Sequence, residues 1–314
     1  MIADTERDGI FMLGTHISTR ARRVLATVLA AGTTLAALAT AAPAEASTAG
    51  ATVGGATVGG AHVTCTSRQP GLADRLSKDI AGALRGRQGA SALALYDRRT
   101  ATSCAFRADA AFDSASVVKV TVLGALLRQV MEEHRKLTPH EVDLTTAMIT
   151  KSDNDATSTL WRQIGPKGIQ HFLTLAGMRD TVAGPKGLWG RTQITASDEL
   201  KLLRLLSSDN PVLDRNARAY ALGRMNRVVP DQRWGVSAGV PGTATVHLKN
   251  GWLPRATNGW RVHSIGAFTG GGREYEIVVL SHGNRTMNDG IATVEGASRI
   301  INRDLNVPKT PTAS

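Results

Sequence analysis

Hydrophobic residues recur every four positions at Leu72, Leu76, Ile80 and Leu84, the spacing that lines one face of an α-helix. The short apolar run Ala90–Tyr96 reads as a strand. Asp97-Arg98-Arg99-Thr100 supplies a turn, and Thr102–Arg107 can pair back as a hairpin. From Ser116 the period is helical: Val118, Val122, Leu126 and Val130 lie four apart, and Leu123 and Leu127 widen the stripe. Further helices are predicted at Leu144–Thr150, Ala156–Ile164, Ile169–Ala176 and Ser197–Leu206. After Gly239 the pattern changes again. Val246–Lys249, Trp260–Phe268 and Tyr275–Ser281 read as strands between Gly-rich turns, and an amphipathic helix covers Ile291–Leu305. Strands at both ends with helices between predict a mixed α/β fold. One sheet draws strands from both ends of the chain, and a helical lobe, about residues 117–215, is inserted into it.

The N-terminal segment carries a different signal. Arg20, Arg22 and Arg23 precede a charge-free run from Val24 to Pro43, and Ala44-Glu45-Ala46 has the form of a cleavage site. Residues 1–46 therefore read as a secretory signal peptide cut before Ser47, by the general or the twin-arginine route, with Met1 or Met12 as the start. The uncharged repeat Ala51-Thr52-Val53-Gly54-Gly55, Ala56-Thr57-Val58-Gly59-Gly60 marks 47–70 as a flexible spacer. A folded domain is expected over 71–306 and a disordered tail over 307–314.

An exported chain with two cysteines suggests a Cys65–Cys104 disulfide, two free thiols being the alternative. Such a bridge closes a loop of about 40 residues, worth ~4 kcal/mol in the chain-entropy model. The formal net charge is +11. It fits first a surface whose scattered Lys and Arg keep a secreted enzyme soluble, and second a protein held near an anionic cell wall. No dense Lys/Arg block is interleaved with aromatics, so nucleic-acid binding is not expected. No His or Cys pair has metal-site spacing, so no metal or other cofactor is expected. A monomer is the expected state.

Three short motifs change the picture from class to chemistry: Ser116-Val117-Val118-Lys119, Ser152-Asp153-Asn154, and Lys249-Asn250-Gly251 followed by Trp252. Ser-x-x-Lys alone occurs often by chance, but the ordered triple does not. With it the chain resembles the penicillin-recognising serine hydrolases, the class A β-lactamases among them. The similarity runs from about Leu72 to Leu305. It implies a β-lactamase/transpeptidase-like fold, with an antiparallel sheet flanked by helices and an inserted all-helical lobe. It also implies a small-molecule or peptide substrate, a β-lactam or a cell-wall peptide. Ser116 would be the nucleophile and Lys119, one helical turn on, its general base. Ser152 would relay a proton to the leaving nitrogen, and Asn154 would donate its amide to a substrate carbonyl. Lys249 would attract a substrate carboxylate, and Gly251 would allow close backbone approach. The backbone N–H groups of Ser116 and Trp252 would form the oxyanion hole. Asp153 would brace its loop. His247 shares a strand face with Lys249 and reads as a packed residue.

The chain departs from the family pattern at two places. Asn250, which the resemblance places with Lys249, Gly251 and Trp252 among the substrate-binding residues, stands where the family has Thr or Ser; it keeps hydrogen-bonding ability but loses the hydroxyl of carboxylate recognition. The Glu that activates the deacylating water in class A β-lactamases has no counterpart. The sole Glu between Asn154 and Lys249 is Glu199, and it reads as part of a helix N-terminus. The segment Gly184–Thr192, where the Glu loop belongs, is short. The expectation is an exported serine hydrolase that acylates on Ser116 and hydrolyses β-lactams poorly. The alternatives are a D-alanyl-D-alanine peptidase or acyltransferase and, in another class, a module that binds β-lactams or wall peptides without turnover.

Overall fold

The computed structural model describes residues 51–257 and 259–306. The expected leader and C-terminal tail lie outside the described residues. A seven-stranded sheet forms from β1 (Thr52–Val58), β2 (Ala61–Ser67), β3 (Ala90–Asp97), β4 (Thr102–Phe106), β7 (Thr245–Leu253), β8 (Trp260–Gly270) and β9 (Arg273–Asn284). Their order across the sheet is β1-β2-β4-β3-β9-β8-β7, and every neighbouring pair is antiparallel. The two ends of the chain meet where β3 pairs with β9. A separate two-stranded ladder joins β5 (Phe112–Asp113) to β6 (Gln193–Ile194).

Side chains on a strand alternate between faces, and here both faces are apolar. On β3, Leu93 and Leu95 enter the core beneath α1 (Leu72–Leu84) and α7 (Met287–Leu305), together with Leu76, Ile80, Val294 and Ile301. Ala92 and Ala94 face the other core, shared with Val118, Leu123, Leu126, Ile265 and Leu280. That second layer holds α2 (Lys119–Glu132), α3 (Pro139–Thr150), α4 (Asn154–Leu175), α5 (Ala196–Ser207) and α6 (Arg215–Asn226). At the α2–α4 crossing, a Cβ on Gly124 would come within 2.4 Å of the Phe172 ring, so only glycine permits the approach.

The expected helices and strands are present, with informative differences. Helix α3 starts at Pro139, ahead of the expected Leu144, because Thr138 and Glu141 form a reciprocal cap. Helix α4 joins the two expected helices but breaks between them, where Gly165 has φ 70° and Pro166 lacks an N–H. Helix α6 escapes a hydrophobic reading because it buries only Ala217, Ala221 and Met225 among polar residues. It carries the helical lobe to Asn226 and past the expected 215.

The expected spacer is a correction, because 52–67 is a β-hairpin on the sheet edge. Gly59 and Gly60 both have positive φ and make the two-residue turn between Val58 and Ala61. At Gly54 a Cβ would lie 2.5 Å from the backbone of Ala73, so glycine lets α1 rest against β1. Here the glycines of the repeat serve turning and close packing, and the segment is ordered. Cys65 and Cys104 stand directly opposite on β2 and β4 and form a disulfide, with Cα atoms 4.1 Å apart. The bridge fastens the hairpin to the sheet.

Candidate active site

Ser116 is positioned by the short β5–β6 ladder and by the edge of the main sheet. After Asp113 the chain turns sharply, and Ala115 adopts a left-handed φ of 46°. One 3-10 turn, Ala115–Val118, then feeds directly into α2. Buried His263 on β8 anchors the entry. The Ser281 N–H donates to its Nδ1 at 3.1 Å, so its Nε2 carries the hydrogen and donates to Asp113 O at 2.8 Å. Burial keeps this imidazole neutral, with its pKa lowered to about 4.

Ser152 lies between α3 and α4 and is also left-handed, with φ 59°. Such backbone is costly for a residue with a Cβ and persists only where its surroundings enforce it. Asp153 does part of this. Its Oδ1 accepts from Ala156 N at 2.7 Å and so caps α4, while its own N–H reaches Ala147 O at 3.2 Å on α3. The clamp turns both Ser152 O and Ser152 Oγ toward Lys119.

Lys119 is fully buried, and its Nζ is the hub of the site. It lies 3.0 Å from Ser116 Oγ, 2.6 Å from Ser152 O, 3.1 Å from Ser152 Oγ and 2.8 Å from Asn154 Oδ1. Removing an ammonium from water disfavours its charged form, and this pulls its pKa down to about 7 against the opposing charge of Asp153. Lys249 is equally buried. Its Nζ donates to Ser152 Oγ at 3.0 Å and to Asn250 O at 2.7 Å. Burial first, and the nearby Lys119 second, hold it well below the usual lysine range. Ser152 Oγ thus bridges two amines. A hydroxyl accepts from one and donates to the other, so the group can pass a proton in either direction.

β7 is the edge strand and passes close beneath Ser116: a Cβ on Gly251 would stand 2.9 Å from Ser116 N. The expected role of Gly251 matches this approach. Trp252 and Asn154 line a cavity of about 490 Å³ over Ser116, together with Trp189, Arg191 and Arg255. Asn250 is a correction. It is buried on the opposite face of β7, where its amide donates to Gln232 O at 2.8 Å and Trp234 O at 2.9 Å. Strand alternation aims it away from the cavity, so its side chain is structural. His247 is packed as expected, its ring nitrogens bonded to Leu222 O and Thr269 Oγ1.

The loop 184–192 supplies what the sequence did not announce. Trp189 places its ring 4.9 Å from Lys119 Nζ, and its indole N–H donates to Ser158 Oγ at 3.1 Å. An aromatic face, and no carboxylate, closes this side of Lys119. Glu199 is not in the cavity lining. It sits fully buried in the first turn of α5, as its helix N-terminus pattern predicts.

Comparison with known proteins places the fold and the family. The fold is similar to a class A β-lactamase from Bacteroides cellulosilyticus, at TM-score 0.66 and 16% identity over 76% of this chain and 99% of that one. It is also similar to a β-lactamase from Xanthomonas campestris, at TM-score 0.64 and 19% identity over 75% and 99%. Among curated proteins, LppW of Mycobacterium tuberculosis and of Mycobacterium bovis, named as a lipoprotein, is 25% identical over 175 residues, 54% of this chain. The chain spans 55% of the length of these relatives. Residues 75–145 and 139–305 match the model of the β-lactamase enzyme family, and the chain belongs to that family.

Proposed function

We propose that this protein is an exported serine hydrolase that forms an acyl-enzyme on Ser116 with amide, β-lactam or ester substrates and releases the acyl group slowly. The observation that carries the reading is the environment of Lys119: a buried amine with a pKa of about 7, 3.0 Å from Ser116 Oγ. In its neutral form the amine keeps two N–H donors, which suit Ser152 O and Asn154 Oδ1. Its lone pair is then left for the Ser116 hydroxyl. As Oγ bonds to the substrate carbonyl carbon, its proton passes to Nζ. When the carbonyl re-forms, the C–N or C–O bond breaks. Ser152 Oγ gives a proton to the departing atom and recovers from Lys119 the one that Nζ took from Ser116, so the amine returns to its neutral form. The carbonyl oxygen would lie between the Ser116 and Trp252 N–H groups.

Deacylation needs a base for water. Trp189 fills the approach to Lys119, and the loop 184–192 contains no acidic residue. This supports a long-lived acyl-enzyme, as in a peptidase, an acyltransferase or a β-lactam-trapping protein, over fast β-lactam hydrolysis. Export is supported by the disulfide, which belongs to oxidising compartments. The lipoprotein name of the mycobacterial relatives and the expected leader point the same way.

Intact-mass spectrometry after mixing with benzylpenicillin, and separately with a D-Ala-D-Ala peptide, tests the proposal. A covalent adduct that maps to Ser116 and persists for minutes is expected, and Ser116→Ala should abolish it. Labelling of that variant, or no adduct on the native protein, would overturn the reading.

A further inference from the structure

Cationic charge in this cavity is not where carboxylate recognition by the third motif would place it. Lys249 is fully buried, held toward its neutral form and engaged by Ser152 and Asn250, and Asn250 faces away. The positive charge on the cavity wall is arginine. Arg191 and Arg255 line the cavity, and both also line an adjoining recess of about 230 Å³ with Asp113, Thr257 and Arg261.

Only one carboxylate is present there. Asp113 Oδ2 lies 3.3 Å from Arg255 Nη2 and 3.3 Å from Arg261 Nε, and its Oδ1 accepts from Gln193 Nε2 at 2.7 Å. Arg261 is further occupied by Thr257 O and Gly259 O. Arg255 keeps a buried Nε with no hydrogen-bond partner. Arg191 is exposed, and its side chain makes no hydrogen bond or ion pair among the described residues. Three guanidinium groups facing one carboxylate leave two positive charges over. That Nε is closed off by the fold, but the Arg255 side chain as a whole is 22% exposed, so its accessible part is what a ligand oxygen would meet. A guanidinium fork is shaped for carboxylate.

We infer that Arg191 and Arg255 form a second anion-recognition site, which takes a carboxylate on the acyl part of the substrate. The inference rests on the proposed acylation chemistry for its orientation. Strand β7 passes under Ser116 at Gly251; Lys249, bonded to Ser152, precedes that point along the chain, and Arg255 follows it, two residues past the strand end at Leu253 and on the wall of the same cavity. The leaving group departs toward Ser152. The substituent of the acyl group therefore projects the other way, toward Arg191 and Arg255. Asp113 holds Arg255 and Arg261 in place and keeps the recess from being over-charged when empty. The substrate class that fits is an acyl donor bearing an acidic side chain next to the scissile bond.

Carbenicillin and benzylpenicillin differ by one carboxylate on the acyl side chain and serve as probes. Calorimetric titration of Ser116→Ala, which cannot acylate, separates recognition from chemistry. Carbenicillin should bind about tenfold more tightly than benzylpenicillin, and the ratio should shrink as salt rises. The preference should fall toward unity in Ser116→Ala/Arg191→Gln, where the changed arginine makes no contact the fold needs. Arg255→Gln in the same background should do likewise. Equal affinity of the two penicillins, no binding of either at millimolar concentration, or a preference untouched by both arginine changes would overturn the inference. Loss of Ser116 labelling in the native protein with this preference intact would instead overturn the catalytic reading and leave the anion site standing.

Discussion

Lys119 and Glu199 are both fully buried and both held toward their uncharged forms, yet their surroundings have little in common. Around Lys119 every direction holds a partner: two hydroxyls, a backbone carbonyl, an amide oxygen and an indole face. Around Glu199 neither carboxylate oxygen has a hydrogen-bond partner, and its pKa is raised to about 8, by burial first and by Asp198 second. It shares a helix face with Ala196, Leu202, Leu203 and Leu206, all buried. The same physical term, loss of water around a charge, acts on both. In one case the protein has built a polar cage that leaves a lone pair available for chemistry. In the other it tolerates a neutral acid in the core. A shifted pKa therefore points to function only where partners converge, and of the two only Lys119 lies beside a serine hydroxyl that opens on a cavity.

The largest test removes the cage's centre. Lys119→Met keeps length and burial but deletes the amine, and acylation should fall by about 10²–10⁴-fold, the usual contribution of a general base. Lys119→Arg should do no better, since a guanidinium stays charged at any working pH. In the native protein the base must be neutral, so the acylation rate should climb about tenfold per pH unit below about 7 and level off above it. Stopped-flow acylation across pH 5 to 9 measures both effects. A rate independent of pH, or a Lys119→Met variant that acylates at native speed, would place Lys119 with Glu199 as a merely tolerated buried group.

A smaller effect is expected at the aromatic wall. Trp189→Glu puts a carboxylate near Lys119 in a loop that lacks one. Release of the acyl group should accelerate by about tenfold, with Trp189→Ala as the control for simple loss of bulk. An opposite charge at that distance also favours the ammonium form. Loss of the ring also hydrates Lys119, so the pH at which acylation reaches half its plateau should move upward in both variants, and further in the Glu variant than in the Ala variant. A Glu variant whose adduct persists as long as the native one would show that water, or its access, limits release for another reason.

Much of this was legible in the sequence where period and motif coincide. The stripe at Val118, Val122, Leu126 and Val130 placed α2, and the three motifs named Ser116, Lys119, Ser152 and Lys249, which the structure brings within hydrogen-bond reach of one another. What stayed hidden depends on long-range contact. The Ala-Thr-Val-Gly-Gly repeat gives no hint that a backbone 19 residues away needs Gly54 small, because the demand comes from Ala73. Asn250 looked like a recognition residue because it occupies the motif, but strand alternation turns it to the far face. Trp189, Arg191 and Arg255 belong to loops or strand ends without periodicity. Their meaning comes from the cavity they share with Ser116.

The smallest effect lies in Glu199, and it is read in stability. A carboxyl whose folded pKa is raised to about 8 keeps its proton in the native state after the unfolded chain has released it. Its contribution is present below the unfolded value near 4.5 and is lost as pH rises through about 8. Lys119 acts in the opposite sense. Its folded pKa is lowered to about 7 from 10.5, so the unfolded chain binds the extra proton between those values and stability rises with pH there. Together the two groups predict a stability minimum near pH 7 to 8. Glu199→Gln removes the falling limb between pH 4.5 and 7 and leaves the rising one. Glu199→Leu does the same and also removes a buried polar group without a partner, which should stabilise the fold at pH 8 by about 1–3 kcal/mol. Neither change should alter the acylation rate by more than about twofold. Urea unfolding of the native protein and both variants from pH 4.5 to 9 reads the limbs directly. A falling limb that survives in Glu199→Gln would assign it to another group, and a large loss of acylation would mean that Glu199 is coupled to the Lys119 cage after all.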